Sequence, residues 1–412
     1  MRFLKKTMIA VIIIVILSLL KGIIPRISPP AAIFYVNLLG CIQLFILFWA
    51  VFTGTLEAFW WKLASIRNAF VNSGIIYLVF CAFFEIMSLF MVHFPKTIPS
   101  CLLGEFKYYY ENYQRNILQY DSSISEYDSN VFYKMRPNLR GVFRNVEFED
   151  SILTNSAGFR SNEISLSYSR ITCAGDSYTL GWGVGQTETY PNALQELLGK
   201  PVLDVGMSSY GTARELATVR QLDSFHLDLL IIQYSYNDID ENLAFAESGD
   251  KLVVSNHSVY DSAQESMRWS RLYFPGKCFL SLSKIILGHY FGELKLILSP
   301  RRTNNISDSA SYDKAAKLFI NVLMHSGIDF KRTQIIVFDI CEFSQLNDKF
   351  INAVQRVSNT PEIQSSFGQH VHLLPIAGKL TSKDYFVLDG HLRPSGQRKI
   401  ARELANIILN LR

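Results

Sequence analysis

The chain contains no run of five like charges, no cysteines at C-x-x-C spacing, no H-E-x-x-H and no G-x-G-x-x-G. Each absence removes a class of function. Without a basic run, and with a net charge of only +4 over 412 residues, a nucleic-acid surface is not indicated. Without clustered His and Cys there is no metal-site spacing, and no metal or other cofactor is expected. The Gly181-Trp182-Gly183-Val184-Gly185 stretch departs from the dinucleotide fingerprint, and no Lys follows it as a phosphate-binding loop requires. Six cysteines are scattered, Cys41 and Cys81 within apolar runs and Cys173 and Cys341 in or beside expected strands. A disulfide framework is therefore not expected, and only Cys101 and Cys278 are placed to pair. Internal repeats and low-complexity tracts are also missing.

Charge is scarce as well. Asp, Glu, Lys and Arg make up 18% of the chain, against roughly 25% in ordinary soluble domains. Apolar residues concentrate in the first quarter, in three runs at about 7–24, 31–53 and 71–92. The second and third are long enough to cross roughly 30 Å of hydrocarbon as helices, and the first reaches that length if Lys21 extends to the interface. No small-x-small cleavage site follows the first run, so a retained anchor is expected rather than a removed signal peptide. Arg2, Lys5, Lys6, Lys62 and Arg67 outweigh Lys21 and Arg26, which places the N-terminus inside. The reading is a multi-pass anchor over 1–94 in a cytoplasmic membrane, with the remainder on the outer side. Glu85 interrupts the third run, and the simplest reading is that it is protonated or faces another helix.

Residues 95–168 read as a linker followed by short strands. From 169 to 412 strands and helices alternate: strands at 170–174, 202–205, 227–233, 334–339 and 371–375, and helices at 189–198, 213–224, 312–325, 348–357 and 395–411. Leu229–Ile232 is wholly apolar, as the buried centre of a parallel sheet requires. Five strands separated by helices predict an α/β fold with a flavodoxin-like, doubly wound parallel sheet. Residues 241–311 break this rhythm and read as an insertion or lid.

In such a sheet the ligand lies beyond the carboxyl ends of the strands. Four clusters fall there: Gly175-Asp176-Ser177, the stretch Gly206-Met207-Ser208-Ser209-Tyr210-Gly211-Thr212, Tyr236-Asn237-Asp238, and Asp389-Gly390-His391. Ester cleavage asks for this set. A serine hydroxyl becomes a nucleophile when a histidine takes its proton, a carboxylate holds the imidazole, and N–H donors meet the oxyanion. Taken singly, Gly-Asp-Ser is usually a cap and Asn-Asp a turn. Their order along the chain, each after a strand, gives them weight.

On those residues the chain resembles the SGNH, or GDSL, hydrolase family. Gly175-Asp176-Ser177 is similar to its nucleophile block, Val205–Thr212 to its second, Asn237 to its third, and Asp389–Gly396 to its last. Arg136-Pro137-Asn138 and Asn155–Arg160 resemble segments that precede the nucleophile block in exported members. The resemblance implies Ser177 as nucleophile, His391 as base and Asp389 as its orienting partner. It implies oxyanion donors at Ser177, Ser209 and Asn237, with Gly206 or Gly211 as alternatives in the second block. The family usually carries Gly where Ser209 aligns, Gly where Ser235 stands, and an Asp–His spacing of three rather than two. An acetyl group on carbohydrate is the substrate the resemblance favours. An O-acyltransferase supplied by a membrane acyl-donor partner, a lipase or lysophospholipase, and a non-catalytic binding protein are the alternatives. A neutral histidine base predicts activity rising through roughly pH 6–7.

Overall fold

The structure is a computed structural model that describes residues 12–20, isolated positions between 35 and 46, and then 66–222, 227–298 and 308–411. The chain divides into two compact units. One comprises Met1–Arg115 with Asp261–Arg302, the other Asn116–Tyr260 with Thr303–Arg412.

In the first unit a long helix, Ile66–His93, is followed by a helix at Leu103–Tyr113, and a third runs from Lys277 to Leu298. The expected spans at 7–24 and 31–53 lie largely outside the described residues. Among the described residues no helix is long and apolar enough to cross a membrane. This corrects the expectation of a multi-pass integral membrane protein with its catalytic part on the outer side. The apolar run at 71–92 lies on the Ile66–His93 helix, where it has a neighbour within the chain. Glu85 is buried there and accepts hydrogen bonds from the backbone N–H groups of Cys278 (3.3 Å) and Phe279 (2.7 Å) and from the Tyr273 hydroxyl (3.0 Å). These N–H groups begin a helix and have no partner inside it, so a carboxylate is the natural acceptor. Glu85 thus faces another helix. Cys101 and Cys278 are both free thiols.

The second unit holds two antiparallel hairpins and the main sheet. Strands β1 (Ser125–Asp128) and β2 (Phe132–Met135) form one hairpin, β3 (Arg140–Arg144) and β4 (Glu149–Leu153) the other. The helix α1 (Glu163–Tyr168) then leads into β5 (Ile171–Ala174), α2 (Ser177–Leu180), α3 (Tyr190–Leu198), β6 (Val202–Asp204), α4 (Thr212–Gln221), β7 (Leu229–Tyr234) and α5 (Asp238–Glu247). After the excursion through the first unit come α6 (Asp308–His325), β8 (Gln334–Asp339), α7 (Lys349–Ser358), β9 (Val371–Leu373) and α8 (Pro394–Asn410). A further helix spans His257–Arg271, so the described residues of the stretch at 241–311 are largely helical.

The sheet order is β6-β5-β7-β8-β9 and every pairing is parallel. This is the doubly wound order expected from the alternation of elements. Every residue of β5 and β7 is buried, because helices cover both faces. On one face Leu230, Ile232, Ile335 and Val337 pack against Leu216, Phe319, Leu323 and Val354. On the other, Cys173, Ile231, Ile336 and Phe338 pack against Leu194, Ile400 and Leu404. The alternation along each strand sends successive side chains to opposite cores. Since all five strands run one way, the segments that follow β5, β6, β7 and β8 emerge at a single edge.

Candidate active site

The turn after β5 is built to hold a serine at that edge. A Cβ on Gly175 would lie 2.0 Å from the Thr179 hydroxyl oxygen and 2.6 Å from Gln233 Oε1, so only glycine fits. Gln233 Oε1 accepts from the Asp176 N–H (3.1 Å) and the Thr179 hydroxyl (3.0 Å), tying the turn to β7. Asp176 caps α2 by accepting from the Tyr178 N–H at 2.9 Å. Ser177 begins this single turn, which closes at Gly181 with φ +77°. Burial pushes the Asp176 carboxyl up to about 6, against the pull of the Tyr178 N–H and of His391.

His391 meets this serine. Its Nε2 stands 2.8 Å from Ser177 Oγ, and its Nδ1 stands 2.5 Å from Asp389 Oδ1. The side chain of Asp389 is fully buried, while the imidazole keeps a 12% exposed edge. Gly390 between them has φ +75°, a left-handed conformation that turns two residues of a D-x-H sequence toward each other. The Tyr178 hydroxyl donates to the Gly390 carbonyl at 3.3 Å. Trp182, from the turn after α2, stacks on the imidazole with centroids 5.0 Å apart. Such a three-membered arrangement can accept a proton from the hydroxyl at Nε2 while the carboxylate fixes the tautomer with N–H at Nδ1.

The second-block residues occupy the segment after β6. Ser209 is exposed, with φ +59°. Its hydroxyl accepts from Gln119 Nε2 at 3.0 Å, and Tyr133 OH donates to its carbonyl at 3.3 Å. The Gly206 N–H donates to Asp204 Oδ1 at 2.9 Å, so this amide is already committed. Gly206 instead allows close packing, since a Cβ there would lie 2.5 Å from the Leu180 nitrogen. Gly211 is the residue before α4, packed on Glu241. Asn237 follows β7, is exposed, and its side chain makes no capping bond to α5. Hydrogen bonds join Ser177, His391 and Asp389. Ser209 and Asn237 share their sheet edge by position.

Two further residues, to which sequence reading gave no role, support the site. The guanidinium of Arg160 is buried and donates to the carbonyls of Leu180 (3.0 Å), Gly181 (2.7 Å) and Val184 (2.7 Å). It thereby shapes the turn that carries Trp182. Burial holds this guanidinium below its usual range, opposed by Asp150 and Asp204. Gln397 of α8 accepts from the Tyr190 N–H (2.8 Å) and donates to the Tyr178 carbonyl (3.1 Å), binding the last helix to the serine turn. Arg160 lies in a segment already singled out by its resemblance. Gln397 is one polar position on an amphipathic helix, which is unremarkable until its partners are known.

No protein-family model matches the sequence, and no curated protein matches it. Among solved structures, the chain is similar to a lipase, Lip_vut3, from a goat rumen metagenome. The identity is 13% and the TM-score 0.30, over 57% of this chain and 95% of that one. A likeness this distant does not carry a function.

Proposed function

We propose that the chain is a serine-dependent ester hydrolase of the SGNH type, acting on O-acyl groups, with acetyl groups on carbohydrate as its substrate. The observation that carries the reading is His391, set 2.8 Å from Ser177 Oγ on one side and 2.5 Å from Asp389 on the other. The distances are those of a nucleophile and base in hydrogen-bond reach, the base held by a third group.

The chemistry follows from the atoms. Ser177 Oγ attacks the ester carbonyl carbon as its proton passes to His391 Nε2. The tetrahedral intermediate collapses, the C–O bond to the leaving alcohol breaks, and His391 returns the proton to that oxygen. Water then attacks the acyl-Ser177 ester, giving its proton to His391, and the carboxylic acid leaves as Ser177 is reprotonated. Asp389 stabilises the imidazolium in both halves. The oxyanion is assigned to the backbone N–H groups of Ser177 and Ser209 and the Asn237 side-chain amide. In support, the Asp176 cap takes the N–H of Tyr178 and not that of Ser177, and the Gly206 N–H already donates to Asp204. The acetyl-carbohydrate assignment rests on analogy with other enzymes of this fold alone.

The test uses the full chain on p-nitrophenyl acetate, p-nitrophenyl octanoate and an O-acetylated oligosaccharide. Turnover of the acetyl substrates, release of acetate from the oligosaccharide, and loss of both in Ser177→Ala are expected. A preference for octanoate would overturn the substrate assignment, and full activity in Ser177→Ala would overturn the mechanism.

A further inference from the structure

Glu147 lies far upstream of the last catalytic block, in the turn between β3 and β4, outside the main sheet. Its side chain is only 5% exposed. Its carboxylate accepts hydrogen bonds from three consecutive backbone N–H groups: Val387 to Oε1 at 2.8 Å, Leu388 to Oε2 at 2.6 Å and Asp389 to Oε2 at 3.0 Å. The third belongs to the residue whose own carboxylate holds His391.

The segment from 387 to 391 lies in neither helix nor strand, so its amide groups need acceptors from elsewhere. Successive N–H groups turned to one side form a concavity suited to an anion. A carboxylate filling it makes charge-assisted bonds, roughly twice as strong as neutral ones. Arg393 Nη2 approaches the same carboxylate at 3.9 Å. The hairpin makes a second contact, because Phe148 packs on Phe386 with centroids 5.3 Å apart. The Phe386 N–H in turn donates to the His391 carbonyl at 2.9 Å, closing the loop.

We propose that Glu147 is a positioning residue, which sets the backbone of residues 387–389 so that Asp389 meets His391 Nδ1. The proposal deepens the esterase reading and rests on it for its kinetic consequences only. The geometric consequence, the Asp389–His391 hydrogen bond, is measurable without turnover.

Glu147→Gln keeps the shape but sets an NH2 group against backbone N–H donors. Glu147→Asp keeps the charge and withdraws it by one methylene. Both would be made in the full chain, with competent sites counted by titration with a serine-directed phosphonate. The expected result is a kcat per titrated site about 10- to 100-fold lower, since misplacement by about 1 Å has effects of that order. The KM for p-nitrophenyl acetate stays within about twofold, because Glu147 does not touch substrate. The far-downfield proton resonance of the Asp389–His391 hydrogen bond shifts or disappears in both variants. A purely structural role would lower thermal stability while leaving kcat per site and this resonance as in the wild type, and that outcome would overturn the proposal. If the wild type neither turns over ester nor takes the phosphonate, the esterase reading fails. The resonance then decides the proposal alone: a change in the variants sustains it, and no change overturns it.

Discussion

The indole of Trp182 lies almost flat against the imidazole of His391, with ring centroids 5.0 Å apart and planes 19° from parallel. Phe143 also meets Trp182, edge to face, with centroids 4.8 Å apart. The base is thus held by hydrogen bonds at both ring nitrogens and by the rings of Trp182 and Tyr178. Trp182→Ala should lower stability by about 3–5 kcal/mol and kcat per titrated site by roughly tenfold or more. Trp182→Phe, which keeps a ring, should lose less of both. Urea unfolding and site-normalised ester hydrolysis check the pair.

Arg160 tests the other support of Trp182. Arg160→Met leaves the carbonyls of Leu180, Gly181 and Val184 without their charged donor, and Asp150 and Asp204 without a nearby cation. A destabilisation of about 3–5 kcal/mol is expected. Arg160→Lys should not rescue it, because one ammonium cannot reproduce the planar fork. Denaturant midpoints of the two variants should both fall well below the wild type.

Ser209 carries φ +59°, in the region that L residues with side chains avoid. Ser209→Ala and Ser209→Gly lose the same hydroxyl and the same Gln119 bond, so their difference isolates the backbone. The glycine variant should be the more stable by about 1–2 kcal/mol. Equal stabilities in urea would show that this turn carries no such strain.

Stability should also depend on Asp204 in a defined pH window. Burial pushes its carboxyl from 3.8 up to about 8, opposed by the Gly206 N–H and by Arg160. The folded state therefore binds this proton more tightly than the unfolded chain does. The stabilisation is fully present below about pH 4 and is lost as the pH rises through about 8. Asp176 and Asp150, both raised to about 6 by burial, act in the same direction at lower pH. Asp204→Asn removes its own share of the decline, while the buried carboxyls of Glu215, Asp238 and Asp339 keep theirs. Its melting temperature should fall less than that of the wild type between pH 6 and about 8. Parallel curves would count against a buried neutral Asp204.

The main sheet was legible because its central strands β5, β7 and β8 are buried, which writes them as short, mostly apolar runs. All five appear within one or two residues of their expected places. The order of Ser177, Asn237, Asp389 and His391 along the chain was readable for a related reason: each follows a strand of a parallel sheet, and such ends share one edge. The run at 71–92 misled because an apolar helix looks alike in sequence whether it meets lipid or another helix. In the structure no described helix is long and apolar enough to cross a membrane, and Glu85 on this run is buried against the start of another helix. Glu147 was invisible because its partners are backbone N–H groups, which every residue carries and no sequence pattern marks.

Ser177 is proposed to be a nucleophile activated by His391. The most direct measurement is intact-mass and peptide mass spectrometry of the full chain after treatment with a serine-directed phosphonate. Wild type should gain one adduct, located on Ser177. Ser177→Ala should gain none, and His391→Ala should react far more slowly while still folded. An unlabelled wild type, or an adduct that persists in Ser177→Ala, would show that Ser177 is not the nucleophile.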